Sequence, residues 1–123
     1  MGDSRHEHRL QLFQRLFAAT FTAATLETAR TTENKEVVDI LAELAILDAE
    51  IQQVAPERPL DEINRVDLAI MRLVLFESMH SETPKLVLLN EAIELAKQFG
   101  SEKSSKFVNG ALAHLLLEEE KIK

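Results

Sequence analysis

Between Pro84 and Leu112 the apolar positions recur at helical spacing in two runs, parted by a glycine and a polar turn, PKLVLLNEAIELAKQFGSEKSSKFVNGAL. At 100° per residue, Leu86, Leu89, Ile93 and Ala96 line one stripe of the first run. Leu88, Ala92, Leu95 and Phe99 line an adjoining one, so about half the circumference is apolar and the helix needs at least two packing neighbours. Glu91, Glu94, Lys97 and Gln98 occupy the remaining face. Pro84 suits a first helical turn, where its missing N–H is unpaired anyway, and Thr83 stands where a cap would stand. Gly100 is expected to stop this helix by entering the left-handed conformation that a side chain disfavours. The second helix starts with Ser101 or Ser104 as its cap and turns Phe107, Val108, Ala111, Leu112, Leu115 and Leu116 inward. Lys103, Lys106, Gly110 and His114 collect on one flank, with Phe107 at its edge.

The same period organises the rest of the chain. A first helix runs from a Ser4 cap to about Thr20, with Leu12, Phe13, Leu16, Phe17 and Phe21 on its buried side. Arg5 and Arg9, four residues apart, extend the line of Leu12 and Leu16 and place two guanidinium groups at the rim of the core. Residues 22–32 are threonine-rich and poorly patterned, a frayed extension or a linker. One continuous helix is predicted over 33–54, its stripe Val37, Ile40, Leu41, Leu44, Leu47, Ile51 and Val54, its opposite face Glu36, Asp39, Glu43 and Glu50. Pro56 and Pro59 end it in a short exposed turn. A helical turn near Asp61 follows, and Asn64 or Asp61 caps the most apolar segment, Val66 to about Met79. That segment is the expected central helix, and Arg72 within it must pair with Glu77 or with an acid on a neighbouring helix. Residues 1–3 and 118–123 are expected to fray. With no alternating run, the pattern predicts an all-α, single-domain helical bundle over 1–123, of about five to seven helices.

Composition narrows the functional classes. Apolar residues make up 46% of the chain, enough for one core and too many for a disordered segment. The absence of cysteine excludes disulfides and thiolate metal sites. The start, MGDSRHEHRL, lacks the apolar run of a secretory leader, and no stretch is long enough to span a bilayer, so a cytoplasmic location is expected, with no membrane partner. The net charge of −7 is uneven: residues 31–67 carry ten acids against three bases, while residues 1–30 carry four arginines against three acids. The ends can therefore meet an anion and the middle suits a basic protein. No phosphate-binding glycine loop, HExxH or nucleophile arrangement is present, and His6 and His8 point to different faces of one helix. Neither a catalytic residue, a cofactor nor a metal is expected; what remains is binding.

The run NEAIELAKQFGSEKSSKFVNG, at 90–110, closely resembles the C-terminal signature of the NusB family of transcription antitermination factors. Val66-Asp67, Arg72-Leu73 and Phe76-Glu77 resemble that family's acidic, aliphatic-Arg and aromatic-Glu pattern, and Arg9, Gln14, Leu16 and Phe17 its opening helix. The likeness covers 63–112 and 5–17. It implies a NusB-type bundle with an abbreviated N-terminal half. It also implies binding of a boxA-type RNA from ribosomal RNA leaders together with NusE, a small-subunit ribosomal protein, in the RNA polymerase antitermination complex. On that resemblance Arg5, Arg9, Lys106 and Phe107 match the RNA surface, with Lys103 and Asn109 beside them, and Asp61 and Asp67 belong to the NusE face. Where the family has a dense arginine run, this chain has RHEHR, which should weaken RNA binding and make it rise on acidification if His6 and His8 gain free charge. Lys103 stands in a turn that is often acidic in the family and offsets part of that loss. A NusB-fold module that keeps only protein contacts is the alternative, and the apolar helices permit a homodimer.

Overall fold

The computed structural model describes residues 4–21 and 34–122, the side chains of 21 and 118–122 excepted. The expected linker or frayed segment at 22–32 lies outside the described residues, as do residues 1–3. Among the described residues there are six α-helices and one 3₁₀ turn, with no strand. They are α1 (Ser4–Phe21), α2 (Lys35–Ala42), α3 (Leu44–Val54), the 3₁₀ turn (Leu60–Glu62), α4 (Arg65–His80), α5 (Lys85–Phe99) and α6 (Ser104–Ile122).

α4 is the axis of the bundle and packs against each of the other five helices. Its sequence explains this: Leu68, Ala69, Ile70, Met71, Leu73, Val74 and Leu75 are all buried, an apolar surface that runs most of the way round. Asn64 caps it, its side-chain oxygen accepting from the N–H groups of Val66 at 2.8 Å and Asp67 at 3.3 Å. α5 and α6 form an antiparallel pair against it and contribute Leu88, Ala92, Leu95, Ala96, Val108, Leu112 and Leu116 to the core. α1 closes the other side with Leu12, Phe13 and Leu16, the Phe13 ring lying 5.1 Å from that of Phe99.

Four local expectations are corrected. The segment 33–54 is two helices rather than one, broken at Glu43, whose N–H is drawn to the carbonyls of Ile40 and Leu41. No glycine or proline marks that break. It re-aims the apolar stripe so that Val37 and Ile40 before it and Leu47 and Ile51 after it all reach the core. Pro84 is the residue before α5, extended at φ −56° and ψ 138°, and not part of its first turn. Thr83 does not cap the helix; its hydroxyl reaches toward Glu77 Oε2 at 3.4 Å. Gly100 is extended, with φ −91° and ψ −172°, so the glycine is required by crowding and not by handedness. A Cβ there would collide with the Ser104 side chain and stand 2.7 Å from the Ala96 carbonyl oxygen. The backbone of α6 is helical to Ile122.

Candidate functional site

Arg9 is the residue whose placement differs most from expectation. Its position one turn before Leu12 and Phe13 carries it inward, and it is only 5% exposed. Its Nε and Nη2 donate to the two Glu77 carboxylate oxygens, each at 2.8 Å, and Nη1 donates to Glu91 Oε1 at 2.8 Å. His6 Nδ1 lies 2.7 Å from the second Glu91 oxygen. Three helices, α1, α4 and α5, are thereby joined at one buried knot. The hydrogen bond to Glu77, with the charges of Glu77 and Glu91, outweighs burial and holds the guanidinium even further above its ordinary pKa. This arginine is fully engaged inside the protein and is not an open phosphate contact. Arg5, one turn earlier, stays on the surface.

The histidines of RHEHR are engaged as well. His8 Nε2 sits 2.8 Å from Glu36 Oε2 on α2, so α1 reaches both α5 and α2 through His6 and His8. On α4, His80 meets Glu43 at 2.8 Å and stacks on Phe76 at 4.4 Å between ring centroids. His6 and His8 therefore face carboxylates of neighbouring helices within the protein. Arg72 takes the second of its two expected partners: Nε and Nη2 each donate at 2.8 Å to Asp48 on α3. Glu77 is claimed by Arg9 instead.

At the start of α6 the surface has a different character. Lys103, Lys106 and Asn109 are exposed, and Phe107 is half-buried beside them. Beneath them the turn between α5 and α6 is held by Ser104, whose Oγ accepts the Ser101 N–H at 2.8 Å and is itself buried. Asp67, in the first turn of α4, lies under this turn. It is 4% exposed, so the carboxylate expected on a NusE face is inside the molecule. Burial pushes its carboxyl above the usual carboxylate range, while a hydrogen bond from Ser104 and the charge of Arg58 pull the other way. Asp67 Oδ1 has no hydrogen-bond partner among the described residues. Asp67 therefore supports the α6 edge from below, whereas Asp61 is exposed in the 3₁₀ turn, next to exposed Glu62 and close in sequence to Glu57.

Sequence reading missed Arg58. It follows Pro56 in the turn after α3, and its guanidinium carbon stands 4.8 Å from the centre of the Phe107 ring. Nothing in the spacing of APERP signals a stack on a residue far along the chain. The Arg9 knot and the Phe107 edge also prove to be separate. They adjoin Glu77 and Asp67 respectively, ten residues apart on α4, or about 15 Å along its axis. They do not form one continuous cationic–aromatic strip. Among the described residues no group of histidines and carboxylates is arranged to hold a metal, and no helix is long and apolar enough to cross a membrane.

Comparison with known proteins agrees with this architecture. Residues 6–116 match the NusB family. The transcription antitermination protein NusB of Lysinibacillus sphaericus is 36% identical over 125 residues, covering 94% of this chain and 98% of that protein. NusB of a Roseiflexus species is 49% identical over 69 residues, 54% of this chain and about half (49%) of that protein's length. Among solved structures, T. maritima NusB superposes with a TM-score of 0.77 at 31% identity, covering 99% of both chains. Matched by the family model over most of its length, and by a full-length relative and a solved structure over nearly all of it, the chain belongs to the NusB family.

Proposed function

We propose that the protein acts as a transcription antitermination factor that binds boxA-type single-stranded RNA together with NusE in the RNA polymerase antitermination complex. The observation that carries this reading is the α6 edge: exposed Lys103, Lys106 and Asn109 around half-buried Phe107. Two ammonium groups supply phosphate contacts, an amide reads a base edge, and the aromatic ring offers a stacking face. Arg5 adds a separate exposed cation on α1. Arg9 acts behind it, by fixing α1 against α4 and α5. For the basic ribosomal protein, the exposed acids are Glu57, Asp61 and Glu62, and Asp67 acts from beneath by holding Ser104.

A protein-only module is the second reading, and the engagement of Arg9, His6 and His8 with carboxylates inside the protein favours it. Gel-shift with a boxA RNA and a scrambled RNA, with and without NusE, separates the two. The RNA reading expects preferential binding to boxA that Lys106→Glu weakens. Equal, weak retention of both RNAs, unchanged by Lys106→Glu, with NusE still bound, leaves the protein-only module.

A further inference from the structure

The cleft beside Phe107 has a volume of about 430 Å³ and is lined by Val54, Ala55, Pro56, Glu57, Arg58 and Phe107. One wall is the end of α3 and the turn after it, and the other is the start of α6. Arg58 is the side chain that joins them. Its guanidinium carbon stands over the Phe107 ring, 4.8 Å from the ring centre, and the residue as a whole is exposed, so the side chain is open to solvent beside the ring.

The backbone that presents Arg58 is held on several sides. Prolines stand at 56 and 59, limiting the conformations of the turn. The Arg58 N–H donates to the Ala55 carbonyl at 3.2 Å. Gln52 Nε2 donates to the carbonyls of both Ala55 and Arg58, each at 2.8 Å. A turn fixed this way holds the Arg58 backbone in place before any ligand arrives, which lowers the part of the ordering cost that the backbone would carry.

We infer that Arg58 is a further RNA-binding residue, the outer layer of a two-layer stacking platform whose inner layer is Phe107. A planar, delocalised guanidinium stacks on an aromatic ring on one side and takes a nucleobase on the other. Phe107 then acts partly through Arg58, by holding its plane parallel to an incoming base. Lys103 and Lys106, exposed on the same edge, engage the flanking phosphates. The inference rests on the RNA reading of the α6 edge and adds to it a residue from a different part of the chain.

The test measures binding of a fluorescently labelled boxA-type RNA to the full chain carrying Arg58→Ala, Arg58→Lys, Phe107→Leu, Lys106→Glu, or Arg58→Ala together with Phe107→Leu, with unfolding temperature as a control. Lysine keeps the charge and lacks the plane. The platform requires both Arg58 substitutions to weaken binding by roughly ten-fold or more, the range expected for one stacked base. It also requires the loss in Phe107→Leu to be less than additive with that in Arg58→Ala. The inference is overturned if Arg58→Lys binds like the unaltered protein, which would make Arg58 a point charge. It is equally overturned if Arg58→Ala binds as well or more tightly, which would make the arginine a bystander or a cover over Phe107. In both cases weaker binding by Lys106→Glu shows that the RNA reading itself stands. If the unaltered protein does not prefer boxA to scrambled RNA, the RNA reading fails and the platform with it.

Discussion

Replacing Arg9 with alanine should damage the fold far more than any direct contact with RNA. The substitution leaves Glu77 and Glu91, whose side chains are only 22% and 14% exposed, facing a space from which their shared cation has gone. Three hydrogen bonds of 2.8 Å disappear together. Breaking a buried pair by removing one partner costs about 3–5 kcal/mol, because the surviving charge stays desolvated. For a domain of this size that is a fall in unfolding temperature on the order of 10–20 °C. Arg9→Lys should recover only part of it, since an ammonium cannot donate in parallel to both Glu77 oxygens. Adding Glu77→Gln and Glu91→Gln to Arg9→Ala should recover some stability by removing the stranded charges. Thermal unfolding followed by far-ultraviolet circular dichroism reads the series, and RNA affinity is then taken well below each midpoint. The reasoning fails if Arg9→Ala unfolds within about 2 °C of the unaltered protein while losing RNA affinity ten-fold, for Arg9 would then be a surface contact. A corollary concerns design: charge reversal at Arg9 tests folding, so Lys106 is the residue with which to probe RNA.

Asp67 predicts a pH effect of defined sign. Its folded-state pKa is raised, so the native state gains stability as pH falls through that value, and the ionised carboxylate is a net cost at neutral pH. The stability of Asp67→Asn relative to the unaltered protein should therefore be most favourable near neutrality and decline toward about pH 4, as read from urea midpoints. The histidine–glutamate pairs are common to both proteins and cancel, and a difference independent of pH would refute the assignment. Gly100→Ala should destabilise by about 1–3 kcal/mol, because the new methyl group must displace Ser104 or the end of α5; an unchanged midpoint would show that the turn yields freely. Lys106→Glu should keep the unfolding free energy within about 0.5 kcal/mol. The same substitution should flatten the slope of log affinity against log salt by roughly 0.7 for each RNA phosphate that the protein no longer neutralises; an unchanged slope would place Lys106 away from the strand.

The helices were legible where a single face decides them. Leu88, Ala92 and Leu95 on α5, and Val108, Leu112 and Leu116 on α6, are buried as their spacing predicts, and Asn64 is one of the two caps expected for α4. What spacing could not supply was the partner across the chain. Arg9 and Arg5 share one helical line and look alike in sequence, yet one is enclosed by two glutamates from α4 and α5 and the other remains outside. Asp67 reads as a surface acid in a first turn, where carboxylates favour the helix dipole, and only the position of Ser104 reveals that it lies beneath a turn. The division at Glu43 and the Arg58–Phe107 stack are likewise products of tertiary packing, with no local residue to announce them. Gly100 does end α5, but through crowding against Ser104 and the Ala96 carbonyl, its backbone being extended and not left-handed.

The knot at Arg9 also sets an order of events for a chain emerging from a ribosome. Its partners lie 68 and 82 residues downstream, so α1 is synthesised long before either glutamate exists. Closing such distant pairs carries the loop-closure penalty that slows non-local folding. The amino-terminal helix must therefore wait, its apolar face uncovered, until Glu91 in α5 has been made. Fastening of the first helix thus belongs to the late, non-local part of folding, alongside the arrival of α6.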